Sequence, residues 1–377
     1  MSRLAIGLMS GTSADGVSAA FVSFKNHSFN LIRYQTFPYS KKVRQKILAA
    51  LELKTPEISE LNFLLGRIFA RAALKIIRLA GTRRKNIAVI GSHGQTIYHG
   101  PRDRVPSTFQ IGEAAVIAEK TGIPVVSDFR PQDIALRGEG APLVPFFDYY
   151  FYGNGPLRAF QNMGGIGNVT LVGRNFKPVA FDTGPGNCLI DLAVSRITKN
   201  KMNHDPSGKW AAQGKINHAL VRSMMKHPFF KRKPPKSTGR EEFGGQFLRK
   251  YFGPRLTRQP FDAIATLTYF TALTIHESIS KLTGRGKGEG LRVKEMIVSG
   301  GGVKNLTLMQ HLKELFTPTP VRSIEEWHIP AQAKEPIAFA FFALRALEGK
   351  INHLPSATGA QKACVLGKLT NASAMTI

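Results

Sequence analysis

Acidic residues are scarce in this chain, and so are cysteines, tryptophans and long apolar runs. With 25 Asp and Glu against 52 Lys and Arg, the 377 residues carry a formal charge of +27. Such a surplus invites a nucleic-acid or membrane-surface reading. Yet the basic residues are scattered, as in Lys41-Lys42 and Arg83-Arg84-Lys85. The one dense stretch, 222–258, lacks the aromatic interleaving of a single-strand-binding surface, and no zinc-finger, bZIP or RRM signature accompanies it. A generally basic host proteome, or attraction of anionic ligands, explains the charge more cheaply, so nucleic acid is not an expected partner. The two cysteines, Cys188 and Cys364, lie far apart without metal-ligand spacing, which fits a reduced, intracellular protein better than a disulfide scaffold. No apolar stretch approaches the roughly 20 residues that span a bilayer. The start, Met1 to Gly7, soon turns polar and Gly-rich, unlike a secretory signal. A cytoplasmic protein without a membrane partner is expected.

Apolar residues make up 43% of the chain, enough for a core in two ordinary domains or one large lobed one. Its organisation centres on Phe181-Asp182-Thr183-Gly184-Pro185-Gly186-Asn187. The apolar run Pro178 to Phe181 predicts a short strand that delivers Asp182 onto a sharp turn, with a helix following from Cys188. There Asp182 either presents a general base or only organises the turn.

Glycine turns recur elsewhere. Leu4 to Met9 and Val17 to Phe24 read as strands on either side of Ser10-Gly11-Thr12-Ser13-Ala14-Asp15-Gly16. No helix opens after the turn and no Gly-Lys-Ser/Thr follows, which excludes Rossmann and Walker loops. The turn is either an anion nest or an ordinary hairpin. Leu157 to Met163, Gly164-Gly165-Ile166-Gly167-Asn168 and Val169 to Gly173 repeat that unit, so a duplication with two lobes facing a shared cleft is expected. A third run, Ser299-Gly300-Gly301-Gly302, stands between a strand and a helical pattern, where a flat nucleotide moiety could approach the backbone closely.

Polar groups gather where strands are expected to stop. His93 and Gln95 follow the strand Ile87 to Ile90, and Asp128, Arg130 and Asp133 follow Pro124 to Ser127. His93 is a substrate contact or a satisfied turn histidine; Arg130 is a carboxylate clamp or a local ion pair. Gly138 to Pro145 reads as a hinge or lobe crossover, and Lys236 to Glu241 as a basic loop over the cleft or a helix cap. Glu335, just ahead of a helix-opening proline, is a second acidic group or a complement to the helix dipole. Long helices are predicted over Ile58 to Ala80 and Phe261 to Leu282.

Taken together, Gly7-Leu-Met-Ser-Gly-Thr-Ser-Ala-Asp-Gly-Val17, Gly91-Ser-His-Gly-Gln-Thr96, Asp128-Phe-Arg130, Gly140-Ala-Pro-Leu-Val-Pro145, Asn162-Met-Gly-Gly165, Phe181 to Asn187, Lys236-Ser-Thr-Gly-Arg-Glu241 and Ser299-Gly-Gly-Gly302 resemble the anhydro-N-acetylmuramic acid kinase family. The resemblance runs over nearly the whole chain. It implies an α/β, two-lobed actin-like sugar-kinase/Hsp70 fold, with lobes expected over 1–135 plus 345–377 and over 136–344. It implies a homodimer that uses ATP and Mg²⁺ to open 1,6-anhydro-N-acetylmuramic acid hydrolytically and phosphorylate O6 in murein recycling. By the same matching Asp182 is the catalytic base. Gly11, Thr12, Ser13, Ala14, Asp15, Gly16, Val17 and Ser18 form one phosphate loop and Gly164-Gly165 the opposing one. Gly300, Gly301 and Gly302 take the adenosine side, and His93, Gln95, Arg130, Asp133 and Glu335 are candidate substrate contacts. Metal ligands are not assigned. The chain departs from the family at Ser18, where Asp is usual, at Arg137 and Glu139 ahead of Ala141-Pro142-Leu143, and at Glu242-Phe243-Gly244. Another sugar or acyl kinase of the superfamily, and a degenerate ATP-gated nucleic-acid-binding protein, are the alternatives.

Overall fold

The computed structural model describes residues 2–11, 13–283 and 292–373. Two compact units are present, one made of 1–151 and 332–377, the other of 152–331.

In the first unit, β1 (Arg3–Ser10), β2 (Gly16–Lys25) and β3 (Ser28–Pro38) form an antiparallel meander. Next to β1 runs β4 (Ile87–Gly100), parallel to it; β5 (Ser107–Ile111) folds back on β4, and β6 (Val125–Ser127) runs parallel to β4 on the far side. A last strand, Lys368–Thr370, pairs antiparallel with β6. β1 and β2 alternate apolar residues toward a core with the helix Thr55–Leu79, whose Leu61, Leu65, Phe69, Ala72, Ala73 and Ile76 recur at helical spacing and are buried. Burying those six side chains contributes on the order of 10 kcal/mol before entropy is charged against it.

The other face of this sheet carries the helix Lys334–Leu347, buried along most of its length. It approaches so closely that a Cβ on Gly7 would stand 1.7 Å from Pro336 O, and one on Gly91 2.1 Å from Phe339 O. That contact puts 332–344 in the first unit. Residues 136–151 join it too, because Asp148 in the helix Pro145–Tyr152 pairs with Lys334, Nζ to Oδ1 2.8 Å, with both side chains buried. The expected boundaries at 135/136 and 344/345 thus move to 151/152 and 331/332.

The second unit repeats the plan. β7 (Arg158–Met163), β8 (Ile166–Gly173) and β9 (Phe176–Pro185) form an antiparallel meander, β10 (Glu295–Ser299) runs parallel to β7, and β11 (Val321–Ser323) parallel to β10. The order β11-β10-β7-β8-β9 matches β6-β4-β1-β2-β3. This is the duplicated two-unit α/β fold that the glycine turns led us to expect. Helices Pro260–Thr283 and Leu306–Phe316 pack on the second sheet, and Cys188–Ile197 packs against the first of them.

Two expected turns are strands instead. β4 continues through Gly91 to Thr96 as far as Gly100, and β9 continues through Asp182 to Pro185. Neighbouring strands hold both segments extended: Gly91 pairs with Gly7 and Val126, and Asp182 with Asn168. Ladder hydrogen bonds thereby override weak intrinsic β-propensity.

Candidate functional site

In the second unit, Asp182 projects from β9 and is partly buried. The segment 236–238 holds it twice. Asp182 N–H donates to the Lys236 carbonyl at 2.9 Å, and Thr238 N–H donates to Asp182 Oδ2 at 2.9 Å. A backbone donor on one carboxylate oxygen fixes the plane of the group. Lys236 anchors this strap. Its side chain is buried, with Nζ 4.3 Å from the Phe229 ring centroid and 5.9 Å from that of Phe181. Burial, with Lys281 and Arg232 nearby, pushes its ammonium down to about 8, while the Asp182 charge pulls the other way. The 236–241 segment is neither an N-cap nor part of a helix: the helix that follows, Gly245–Tyr251, begins after Gly244 without a side-chain cap.

β9 leads directly to the glycine loop between β7 and β8. Gly186 N–H and Cys188 N–H donate to Gly165 O at 2.9 and 3.0 Å, and Asn187 N–H to Gly164 O at 2.8 Å. This lacing requires a glycine at 186, where a Cβ would stand 2.4 Å from Gly164 O. Above the loop there is room: a Cβ on Gly164 or Gly165 would meet nothing nearer than 3.7 Å. A ligand can therefore approach that backbone closely, as a phosphate requires.

Gly300, with φ +85°, donates its N–H to Ala331 O at 2.9 Å. Cβ atoms on Gly300 and Gly302 would collide with Asn162 Oδ1 and Met163 Cβ, at 2.5 and 2.6 Å, whereas Gly301 is open to 3.8 Å. Of the three glycines, Gly301 is the one with a free face; its neighbours are glycine for packing.

In the first unit, the loop between β1 and β2 turns on Ala14, at φ 51°, whose N–H donates to Gly11 O at 3.0 Å. Ala14 and Val17 are buried core side chains, so only their backbone is available to a ligand. A Cβ on Gly11 would meet nothing within 4 Å, whereas Gly16 lies tight against Phe37 O. Ser13 O accepts from Arg44 Nη2 at 3.2 Å, and Arg44 Nε lies 3.6 Å from the exposed Asp15 carboxylate. Ser18 Oγ meets Thr36 Oγ1 at 2.9 Å and Tyr34 Oη at 3.3 Å, a neutral hydroxyl cluster. Thr12 lies outside the described residues.

Three of the five candidate substrate contacts come together. Arg130 Nε–H donates to His93 Nε2 at 3.0 Å, and Glu335 and Arg130 feel each other's charge. Burial, with Arg130 alongside, pushes the His93 imidazole down to about 3, so it is a neutral acceptor whose Nδ1–H points at Gly94 O, 3.2 Å away. Burial raises the Glu335 carboxyl, and Arg130 and then Lys334 oppose this. Gln95, mid-strand and buried, accepts from Ser10 Oγ at 2.6 Å and ties the end of β1 to β4.

Asp133 is different. Wholly buried, it accepts from Gly140 N–H at 2.7 Å, His353 Nδ1 at 2.9 Å and Thr358 Oγ1 at 2.6 Å. Its carboxylate is spent on holding the 138–140 turn against the returning chain, and that full set of internal partners displaces the expected substrate contact. The strap on Asp182 was missed as a pair of contacts, because backbone groups leave no residue-type signal.

Among the described residues no group of three His, Cys, Asp or Glu side chains could hold a metal ion. A divalent cation would depend on ligand oxygens together with one or two carboxylates, the usual habit of Mg²⁺.

A model of the anhydro-N-acetylmuramic acid kinase family matches residues 3–372. Relatives named anhydro-N-acetylmuramic acid kinase include one from Caldanaerobacter subterraneus subsp. tengcongensis, 43% identical over 98% of this chain and 97% of its own length. Another, from Clostridioides difficile, is 38% identical over 97% of each. A third, from Salinibacter ruber, is 36% identical over 98% of this chain and 96% of its own. With the motifs, the duplicated sheets and these matches in agreement, the chain belongs to the anhydro-N-acetylmuramic acid kinase family.

Proposed function

We propose that this protein is an ATP-dependent kinase that hydrolytically opens 1,6-anhydro-N-acetylmuramic acid and phosphorylates its O6. The products would be N-acetylmuramic acid 6-phosphate and ADP, formed in murein recycling in the cytoplasm by a homodimer. The observation that carries the reading is the backbone clamp on Asp182, directly ahead of a laced glycine loop with an open face.

In this mechanism Asp182 takes a proton from a water that attacks the anomeric carbon. The C1–O6 bond breaks as the C1–O bond to water forms, and O6 takes the γ-phosphoryl group as the bond to ADP breaks. Ring opening thereby generates the alkoxide character that phosphoryl transfer needs, so the site has mainly to position and to stabilise charge. Gly11 and Gly164-Gly165 offer backbone to the phosphates and Gly301 to the nucleoside. Arg130, held by His93, binds an oxygen of the sugar, and Glu335 accepts a hydroxyl. Mg²⁺, when bound, would neutralise charge on the transferring phosphates. Asp15, the exposed carboxylate of the first loop, would hold it together with phosphate oxygens.

Incubating the wild type and Asp182→Asn with the anhydro sugar, Mg-ATP and ¹⁸O-labelled water tests this. Expected are label at the anomeric hydroxyl and phosphate on O6, both lost in the variant. ADP release with an unlabelled, ring-intact product would sink the role of Asp182, and turnover only with another sugar or an acyl acceptor would sink the substrate.

A further inference from the structure

Arg240 reaches the second glycine loop without forming an ion pair among the described residues. A Cβ on Gly165 would stand 3.7 Å from Arg240 Nη2 and 4.0 Å from Nε, so the guanidinium edge lies over that backbone. The carbonyl of Gly165 is already shared by the N–H groups of Gly186 and Cys188.

None of the nearby acids pairs with Arg240. Glu242 accepts from Thr238 Oγ1 and pairs with Arg232. Glu241 folds back over Gly239. Asp191, on the helix Cys188–Ile197, makes no ion pair with Arg240; burial pushes its carboxyl up to about 7, and Arg240 draws it back only in part. Arg240 is thus an exposed guanidinium without an ion-pair partner among the described residues.

A solvated surface arginine would need none of this, but the backbone beneath Arg240 is fixed on both sides. Thr238 N–H is bonded to Asp182, and Phe243 N–H donates to Gly239 O at 3.0 Å. At Gly244 a side chain is forbidden, because its Cβ would stand 2.2 Å from Arg240 O. The strap that orients the base therefore also delivers a planar fork of N–H donors to the glycine loop. Such a fork matches two oxygens of a phosphoryl group better than any single ammonium could.

We propose that Arg240 binds the phosphoryl group during transfer, stabilising the charge that gathers on its oxygens while the bond to ADP breaks and the bond to O6 forms. The proposal rests on reading Gly164-Gly165 as a phosphate loop.

The test compares wild type, Arg240→Ala and Arg240→Lys. Affinity for ADP alone, and for ADP with beryllium fluoride as a γ-phosphoryl mimic, is measured by calorimetry; turnover is measured with the anhydro sugar and ATP. In Arg240→Ala, ADP affinity is expected to stay within about 3-fold, while affinity for the mimic falls at least about 10-fold. kcat should fall about 10³-fold, as when a transition-state arginine is lost. Added guanidinium ion should restore part of it, and Arg240→Lys should recover less than a tenth. Equal affinity for the mimic in wild type and Arg240→Ala overturns the proposal, as does kcat within about 3-fold of wild type. If the wild type fails to turn over the anhydro sugar but the mimic still distinguishes the variants, the substrate reading fails and the role of Arg240 stands.

Discussion

Thr238 N–H and Asp182 Oδ2 lie 2.9 Å apart, and the carbonyl of Lys236, two residues earlier, accepts from the N–H of Asp182 itself. Asp182, the proposed base, is therefore oriented by backbone whose own position depends on a buried lysine set over the Phe229 ring. Lys236→Ala should lower kcat by about 10–100-fold, because a small misplacement of the base is costly, with KM for ATP within about 3-fold. Lys236→Met, which keeps the apolar stem between Phe229 and Phe181, should retain more activity than the alanine variant. Steady-state kinetics on both variants checks this, and equal kcat in wild type and Lys236→Ala would remove the strap from the mechanism.

Asp191 gives a pH dependence of stability. Its folded value of about 7 stands above the ordinary 3.8 because of burial. The folded state thus holds its proton more tightly, and stability present below pH 4 is lost as pH rises toward 7. Asp191→Asn should match the wild type near pH 4 and exceed it by pH 7.5, by at most roughly 4 kcal/mol. Thermal melts across that range would show the gap opening; a constant offset would contradict the assignment.

The pair Lys334–Asp148 fixes the returning helix in the first unit. Removing one partner strands a buried charge, so Asp148→Ala should cost about 3–5 kcal/mol. The double variant Asp148→Leu with Lys334→Met should recover much of that loss, as read from denaturant melts.

With Arg130 donating to its Nε2, and its imidazole held down to about 3, His93 does not titrate in the working range. His93→Gln should raise KM for the sugar, about 10-fold as a central estimate for a loosened charged contact, while leaving the shape of the pH–rate profile between pH 5 and 8 unchanged. Disappearance of an inflection near 6.5 in that variant would assign His93 a proton-transfer role instead.

Much of this architecture was legible in the residues. The strand–glycine–strand units at 4–24 and 157–173 appear as two matching meanders because their flanks are β-branched and aromatic while their turns are glycine. Gly91 to Thr96 was not legible as strand: its glycines, serine and histidine carry little β signal, and the pairing of Gly91 with Gly7 on one side and Val126 on the other extends it. Asp182 was read onto a turn for the same reason, although the choice of the residue did not depend on it. Asp133 looked like a ligand group because its partners, His353 and Thr358, lie more than two hundred residues away and no local pattern announces them. The residues expected in phosphate loops divide once packing is known: Ala14 and Val17 belong to the core, and Gly11, Gly164 and Gly165 keep open faces.

The first unit is assembled from two separated stretches of chain, 1–151 and 332–377, whereas the second is continuous. During synthesis the second unit is complete once Ala331 has left the ribosome. Until then the sheet of the first unit has one bare apolar face, because the helix Lys334–Leu347 that covers it has not yet been made. A nascent chain halted between these points exposes that face and waits for its own end to close it, so early termination there should yield a protein for chaperones and proteases to clear, with one finished unit and one unfinished.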